Sequence, residues 1–458
     1  MKKLLLGSTA LVVGGLMAAP AMAADPIKMG VGGYYTFYGL AGGIDPTNAF
    51  NGTQTSYKGF AFTQEGEIHF IGQTKLDNGT SVGLTVELEA WNPSSAVANA
   101  QIDEAFLFAF GDWGRVELGS RDAASYRMYY GTPSALIGWG AIQHNHNWAN
   151  NSVINNNKAY GRTMATTITP TWQDVNRINY FTPRFAGLQI GVGYAPKLNA
   201  SETITFINTG PTGVAGICGY NNATNINNCP TADYAWQDLF DVGANYLNKF
   251  GDFTVALYGA FAYASFVPGF TNTTAVGNLA NPANLITGAN LAAWKQWVVG
   301  AQFGFAGFTV GGAYGYDNNG LGANYFTGVD NDTRFATAGI MYETGPWQMS
   351  FMWAGFWNTN GNGSASVTAI APGTNAQTFN IASASGVPGV NSTAFNGNPA
   401  TSLLFGSETI TKWEIGANYA LGPGIKAVGG AMYYQAGGPT NAVSGNSWVV
   451  LLGIDLRF

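Results

Sequence analysis

Thr80-Ser81-Val82-Gly83-Leu84-Thr85-Val86-Glu87-Leu88-Glu89-Ala90-Trp91 carries a two-residue rhythm. Val82, Leu84, Val86 and Leu88 take one face, while Thr85, Glu87 and Glu89 take the other. A period of two is the signature of a strand, because successive side chains point to opposite sides of a sheet. The C-terminal stretch repeats the pattern. Trp448, Val450, Leu452, Ile454, Leu456 and Phe458 share a face, with Asp455 and Arg457 opposite. A strand with one apolar and one wet face suits a wall between lipid and water.

Sixteen segments read this way: 27–42, 58–76, 80–91, 102–111, 115–121, 175–184, 188–197, 239–249, 253–266, 295–305, 308–316, 334–342, 347–357, 408–420, 425–435 and 447–458. Their connections alternate between short and long. Asp77-Asn78-Gly79, Asp112-Trp113-Gly114, Phe185-Ala186-Gly187, Phe250-Gly251-Asp252 and Ala306-Gly307 are hairpin turns built on residues suited to positive φ. So are Glu343-Thr344-Gly345-Pro346 and Leu421-Gly422-Pro423-Gly424, where proline fixes φ. Between them lie long polar connections, among them 122–174, 198–238, 267–294 and 358–407. Strict alternation is what an up-and-down membrane barrel requires, with tight turns on one side and roomy loops on the other. The expected fold is therefore all-β, a 16-stranded antiparallel transmembrane β-barrel, wide enough to leave an aqueous lumen. No internal repeat or domain boundary is visible, so 24–458 is expected to be one domain.

The bulk numbers agree. Charged residues make up 10% of the chain, against roughly 25% in soluble domains. Aromatics reach 14%, and the 63 glycines are about twice the usual share. At the N-terminus Lys2 and Lys3 precede an apolar run from Leu4 to Met17 and then Ala21-Met22-Ala23, the layout of a secretory signal. Cleavage after Ala23 is expected, with residues 1–23 removed. No later apolar run reaches the length of about 18 residues that a membrane helix needs. Without Lys2 and Lys3 the 19 basic residues fall to 17 against 25 acids, a formal charge of −8. That balance argues against nucleic-acid binding, which wants basic patches, and permits a mild preference for cations. Cys218 and Cys229 lie in a polar loop. Outside the cytoplasm a disulfide between them is the default reading, with free or mispaired thiols as the alternative.

Several stretches resemble the Gram-negative general porins, in particular the alphaproteobacterial type. Asp112-Trp113-Gly114-Arg115-Val116-Glu117-Leu118-Gly119-Ser120-Arg121 is similar to that family's hairpin leading into its third external loop. Asn176-Arg177-Ile178-Asn179-Tyr180-Phe181-Thr182-Pro183-Arg184-Phe185-Ala186-Gly187-Leu188-Gln189 resembles the strand after that loop. Terminal Phe458, with alternating apolar residues before it, resembles the assembly signal of outer-membrane barrels. The resemblance implies a homotrimer of such barrels in outer-membrane lipid, each with its third loop folded into the lumen as a constriction. Here that loop is about 122–174. Family constrictions set acids on this loop against bases on the wall. This chain departs from that pattern: the loop carries Arg127, Lys158 and Arg162, with His144 and His146, and no acid between Asp122 and Asp174. The wall carries the glutamates, so the polarity is expected to be reversed.

Parity assigns the lining. In the second segment Phe60, Phe62, Ile68 and Phe70 share a face, leaving Thr63, Glu65, Glu67, His69, Gln73 and Lys75 inward. A turn centred on Asn78 sets Glu67 opposite Glu89 and His69 opposite Glu87. Like charges opposed across strands are unfavourable, and such a pair raises one pKa or recruits a cation. The same reasoning places Arg115, Glu117 and Arg121 inward, with Asp103 facing Arg121, and then Arg177 and Asn179. Tyr34, Tyr35, Phe37 and Tyr38, like Tyr433 and Tyr434, are expected to form girdles at the lipid boundary, although aromatic β-propensity alone explains any single one.

No catalytic motif is present: no His-Glu-x-x-His run and no Gly-x-Ser-x-Gly elbow. His144 and His146 lack further visible metal ligands and read as a solvated loop pair. The expected function is a passive channel for ions and small hydrophilic solutes, with no cofactor, metal or catalysis. Two rivals stand beside it. One is a solute-selective channel using Tyr126, Tyr129, Tyr130, Trp139 and Trp148; the other is a structural or adhesive barrel with Asn- and Gly-rich loops.

Overall fold

The two-residue rhythm becomes sixteen antiparallel strands closed into a cylinder in a computed structural model of the chain. The structure describes residues 26–48, 57–90, 102–138, 158–159, 162–163, 175–197, 236–266, 293–318, 332–358, 364–369, 377–382, 408–437 and 444–458. The leader, Cys218, Cys229, His144, His146, Trp139 and Trp148 lie outside these residues.

The strands are β1 (Lys28–Asn48), β2 (Tyr57–Lys75), β3 (Ser81–Glu89), β4 (Ile102–Gly111), β5 (Gly114–Arg121), β6 (Val175–Phe181), β7 (Leu188–Lys197) and β8 (Trp236–Phe250). They continue as β9 (Phe253–Phe266), β10 (Trp294–Phe305), β11 (Phe308–Asp317), β12 (Thr333–Thr344), β13 (Trp347–Asn358), β14 (Glu408–Gly422), β15 (Ile425–Gly437) and β16 (Ser444–Arg457). Each pairs with its sequence neighbours, and β1 closes the seam on β16 through Tyr34↔Arg457 to Asn48↔Ser444. Closure satisfies every strand's ladder without leaving an edge, the condition for spanning lipid with strands. Phe458 completes the seam: its N–H and C=O exchange hydrogen bonds with Gly33 at 3.1 and 3.0 Å.

The outward parity is apolar and exposed in the isolated chain, including Phe60, Leu107, Leu257, Phe351 and Leu452, the last at 72%. Rings gather at both ends of this band. At the short-turn end Phe308 stacks on Tyr342 and Trp347 meets Tyr419 edge-on; at the other, Trp353 lies between Trp357 and Trp413. The girdle expectation needs correction within three pairs: Tyr34 turns its hydroxyl to the inward Glu65 and Glu67. Tyr38 is 2% exposed and Tyr434 1%. Both point inward, because adjacent residues of a strand cannot share a face, so only Tyr35, Phe37 and Tyr433 contribute outside.

The turns follow their residues. Ala306 and Gly307 both have positive φ, 49° and 82°, between the paired Phe305 and Phe308. That is the geometry of a two-residue type I′ hairpin, in which glycine takes the second strained position without a Cβ penalty. β6 ends at Phe181, three residues before the expected 184, since Pro183 cannot donate to a ladder. Short ladders also form inside two long connections, Lys158↔Thr163 with Ala159↔Arg162, and Ser364–Ala369 with Gln377–Ala382. Both lie within connections expected to be loop, where strands of two or six residues are too short to stand out from the polar sequence around them.

Candidate channel lining

The tight turn at 77–79 sets the register of β2 on β3, placing Glu67 against Glu89 and His69 against Glu87. On the other side β1 pairs Tyr34 with Glu67 and Thr36 with Glu65. These residues occupy the parity opposite Phe60, Phe62 and Phe70, which are exposed outside. The Tyr34 hydroxyl donates to Glu67 at 3.0 Å and lies 3.4 Å from Glu65. Nε2 of His69 is 2.7 Å from Oε2 of Glu67. Carboxylate oxygens of Glu67, Glu89 and Asp103 all lie within 4.8 Å of one another. An acidic wall therefore runs across β2, β3 and the start of β4.

Asp103 does not meet Arg121 as expected. Between Val86 and Leu88 the β3–β4 register slips, with Ala105 and Ile102 as their partners. One extra residue on β4 makes a β-bulge, which turns two consecutive side chains toward the same side. Asp103 joins the acidic wall, and Glu104 takes the ion pair with Arg121. Arg121 also reaches Glu87 at 3.3 Å, and a Glu104 oxygen accepts the Asp122 N–H at 2.9 Å. Glu104 carries no inward signal in the sequence, because Phe106, Phe108 and Phe110, which share its face, read as a lipid-facing stripe.

The basic side is built on β5 and its continuation. Arg115 pairs with Glu117 at 2.6 Å, and Arg127 pairs with the same carboxylate. Beneath the guanidinium groups lie rings: Phe108 is 4.6 Å from Arg115, Phe106 4.5 Å from Arg121, and Phe181 5.1 Å from Arg127. Such stacking keeps a planar cation against the wall while leaving its edges for solvent. The side chains of Arg115 and Arg127 remain 33% and 25% exposed. Glu117, fully buried, and Arg177, at 4% exposure, point inward but are shielded from water. Their ion pairs hold neighbours in place. Lys158 and Arg162 have described backbones only.

The shielding comes from residues 123–138. After β5 the chain makes one helical turn, α1 (Ala124–Arg127), and continues as an extended segment fastened to inward side chains. Asp241 on β8 accepts the Ser125 N–H at 2.7 Å, and Tyr258 on β9 donates to the Ser125 carbonyl at 2.7 Å. Asn245 on β8 donates to the Met128 carbonyl at 3.0 Å. Thr132 bonds Thr337 on β12, and Ser350 on β13 accepts the Ala135 N–H at 2.8 Å. On β14 Glu414 accepts from Ser134 at 2.6 Å, and Asn418 donates to the Ala135 carbonyl at 2.7 Å. Tyr38 on β1 donates to the Ile137 carbonyl at 2.7 Å. Gly311 on β11 permits close passage: a Cβ there would sit 2.5 Å from the Gly131 carbonyl oxygen. Two buried ion pairs support the anchors, Arg177–Asp241 at 3.2 Å and Lys412–Glu414 at 2.9 Å. Leu136, Met128 and Ala124 bury themselves with Tyr38, Met352, Val428 and Tyr434.

None of Asp241, Asn245, Ser350, Glu414 or Asn418 was singled out in the sequence. Their signal was present as polar residues alternating with apolar ones on the inward parity, as in Phe240-Asp241-Val242 and Trp413-Glu414-Ile415. Asp122, where the segment leaves β5, is pushed up to about 6 by burial, against the opposing pull of Arg121, Arg127 and Arg177.

Comparison with known proteins agrees with this architecture. An uncharacterized protein of Rickettsia conorii is 22% identical over 300 residues, 59% of this chain and 66% of the relative. One of Rickettsia prowazekii is 23% identical over 304 residues, 60% and 66% respectively. The matches thus span just under two thirds of these relatives. Among solved structures, an anion-selective porin from Comamonas acidovorans superimposes with a TM-score of 0.50 at 14% identity, over 94% of this chain and all of that one. That likeness is one of fold. A family model described as Gram-negative porin matches residues 7–439, and with nearly the whole chain inside that match, the protein belongs to the Gram-negative porin family.

Proposed function

We propose that the chain forms a water-filled channel in the bacterial outer membrane for passive diffusion of ions and small hydrophilic solutes. It reaches that membrane through a cleaved leader at 1–23 and assembles as a homotrimer. The observation that carries this reading is the division of one closed cylinder into an apolar outer band and a charged inner wall. An apolar band of this kind suits lipid, and a sixteen-stranded barrel is wide enough for water. The connection 122–174 is the constriction loop, a reading supported by the bonds that tie 125–137 to inward side chains. Glu65, Glu67, Glu87, Glu89 and Asp103 make the aperture locally attractive to cations, while Arg115 and Arg127 stand on the adjoining wall and Arg121 links the two through Glu87 and Glu104. Charges facing one another across a narrow passage orient water and dipolar solutes.

The solute-selective alternative drew on the loop aromatics. Tyr129 packs edge-on against Tyr258 at 5.4 Å and is buried enough to hold its hydroxyl up at about 12, so this ring serves loop packing more than solute binding. Conductance and reversal potential of the refolded protein in planar bilayers test the proposal. Steady ohmic steps with a small cation-directed reversal potential are expected. Absence of conductance would favour the adhesive barrel, and an anion-directed potential would overturn the acidic-wall assignment.

A further inference from the structure

We propose that Glu67, His69 and Glu87 form a binding site for a divalent transition cation of the zinc type, within the acidic wall of the barrel. The site follows from register. Glu67 and His69 stand two residues apart on β2, hence on the same face, and Glu87 stands directly opposite His69 on β3. One ligand atom from each residue lies within 4.8 Å of the other two. In a tetrahedral zinc site with bonds of about 2.0–2.2 Å, ligand atoms sit roughly 3.3–3.5 Å apart. Rotation about the glutamate χ angles closes the difference. Nε2 of His69 already approaches Oε2 of Glu67 at 2.7 Å. These two atoms would part to the tetrahedral spacing to admit the cation, with the neutral imidazole carrying its proton on Nδ1 and water completing the shell.

The chemistry of the donors selects the ion. Carboxylates alone suit magnesium or calcium, whereas an imidazole nitrogen added to two carboxylates suits zinc and its neighbours. The surroundings supply two further reasons. Glu67 also faces Glu89 directly across the ladder, an arrangement of like charges that is unfavourable unless something positive lies between them. The Tyr34 hydroxyl, which cannot itself be a ligand while donating, holds the other oxygen of Glu67 at 3.0 Å, the kind of outer contact that orients a metal-binding carboxylate. Arg121, the nearby cation, divides its charge among Glu87, Glu104 and Glu117.

The test uses the full refolded barrel in detergent and in planar bilayers. Calorimetric titration with zinc chloride reads binding independently of conduction, so this proposal and the channel reading fail separately. Saturable zinc binding is expected, together with a fall in conductance at zinc concentrations where magnesium chloride of equal ionic strength has no effect. His69→Ala and Glu87→Gln should each move the zinc midpoint upward by about tenfold or more. A His144→Ala/His146→Ala double variant should leave it unchanged. Where His69→Ala fails to assemble, His69→Gln, which keeps a polar group of similar length, takes its place. Equal effects of zinc and magnesium, an unchanged midpoint in the His69 variants, or loss of binding in the loop-histidine variant would each overturn the proposal.

Discussion

Asp241 on β8 divides its two carboxylate oxygens between Ser125 and Arg177: one accepts the Ser125 N–H at 2.7 Å, the other the Arg177 guanidinium at 3.2 Å. Asp241 is 1% exposed, so the segment after β5 and a wall strand share one dry anchor. Removing a single partner from a buried pair typically costs about 3–5 kcal/mol, because the remaining charge is left uncompensated. Asp241→Ala should therefore lower stability by that order in urea unfolding from lipid vesicles. It should also loosen α1, and single-channel records should show added current noise. A quiet channel of wild-type stability would show that the segment is held from elsewhere.

The acidic wall predicts a charge effect of defined sign. Glu65→Gln, Glu67→Gln and Glu89→Gln each remove a negative charge from the inward face while keeping side-chain volume. Reversal potentials in a salt gradient should shift toward anions in each variant, and further in the triple variant. The shift should shrink as salt rises, because the Debye length falls from about 10 Å at 0.1 M to about 3 Å at 1 M. A triple variant with unaltered reversal potential would remove this wall from the selectivity-determining region.

How far the lining was legible in the sequence depended on what lay between one turn and the next. Asp77-Asn78-Gly79 admits few hairpin geometries, so counting outward from it places Glu67 on Glu89 correctly, eight pairs from the first rung at Lys75↔Ser81. Counting fails where a bulge intervenes, as at Asp103, where one added residue on β4 brings a second consecutive side chain to the inner face. β4 misleads for a second reason. Phe106, Phe108 and Phe110 are apolar yet point inward beneath arginines, so hydrophobicity alone does not identify the lipid face. The anchors Asp241 and Glu414 act on a segment more than a hundred residues away in sequence, and no local pattern encodes that contact.

Leu452 gives a direct test of the outer face. It lies midway along β16, opposite Gly39 on β1 and Gly429 on β15, with its side chain projecting away from the inner wall. An arginine placed on the lipid face at the bilayer midplane costs about 2–4 kcal/mol, and much less near the interfaces. Leu452→Arg should show that loss in vesicle-based unfolding. A cost near zero would place this position against water.

Asp122 provides a pH signature distinct from that of an ordinary surface acid. Its ordinary value is 3.8, and burial pushes it up to about 6 in the folded chain. Between those two values the folded state holds a proton that the unfolded state has released, so stability rises as pH falls through this window. Above about 6 the buried carboxylate is charged and this contribution is lost. Acidification from pH 7 should thus raise the contribution of this site, opposite in sign to the effect on a salt-bridged carboxylate whose value is depressed. Asp122→Asn removes the titration while retaining the backbone N–H that donates to Glu104. Thermal midpoints of wild type and variant in detergent, measured between pH 4 and 7, should converge as pH falls and separate above about 6, with the variant the more stable at pH 7. Parallel curves would mean that water reaches Asp122 freely, and that residues 123–138 do not seal the wall at the point where they leave β5.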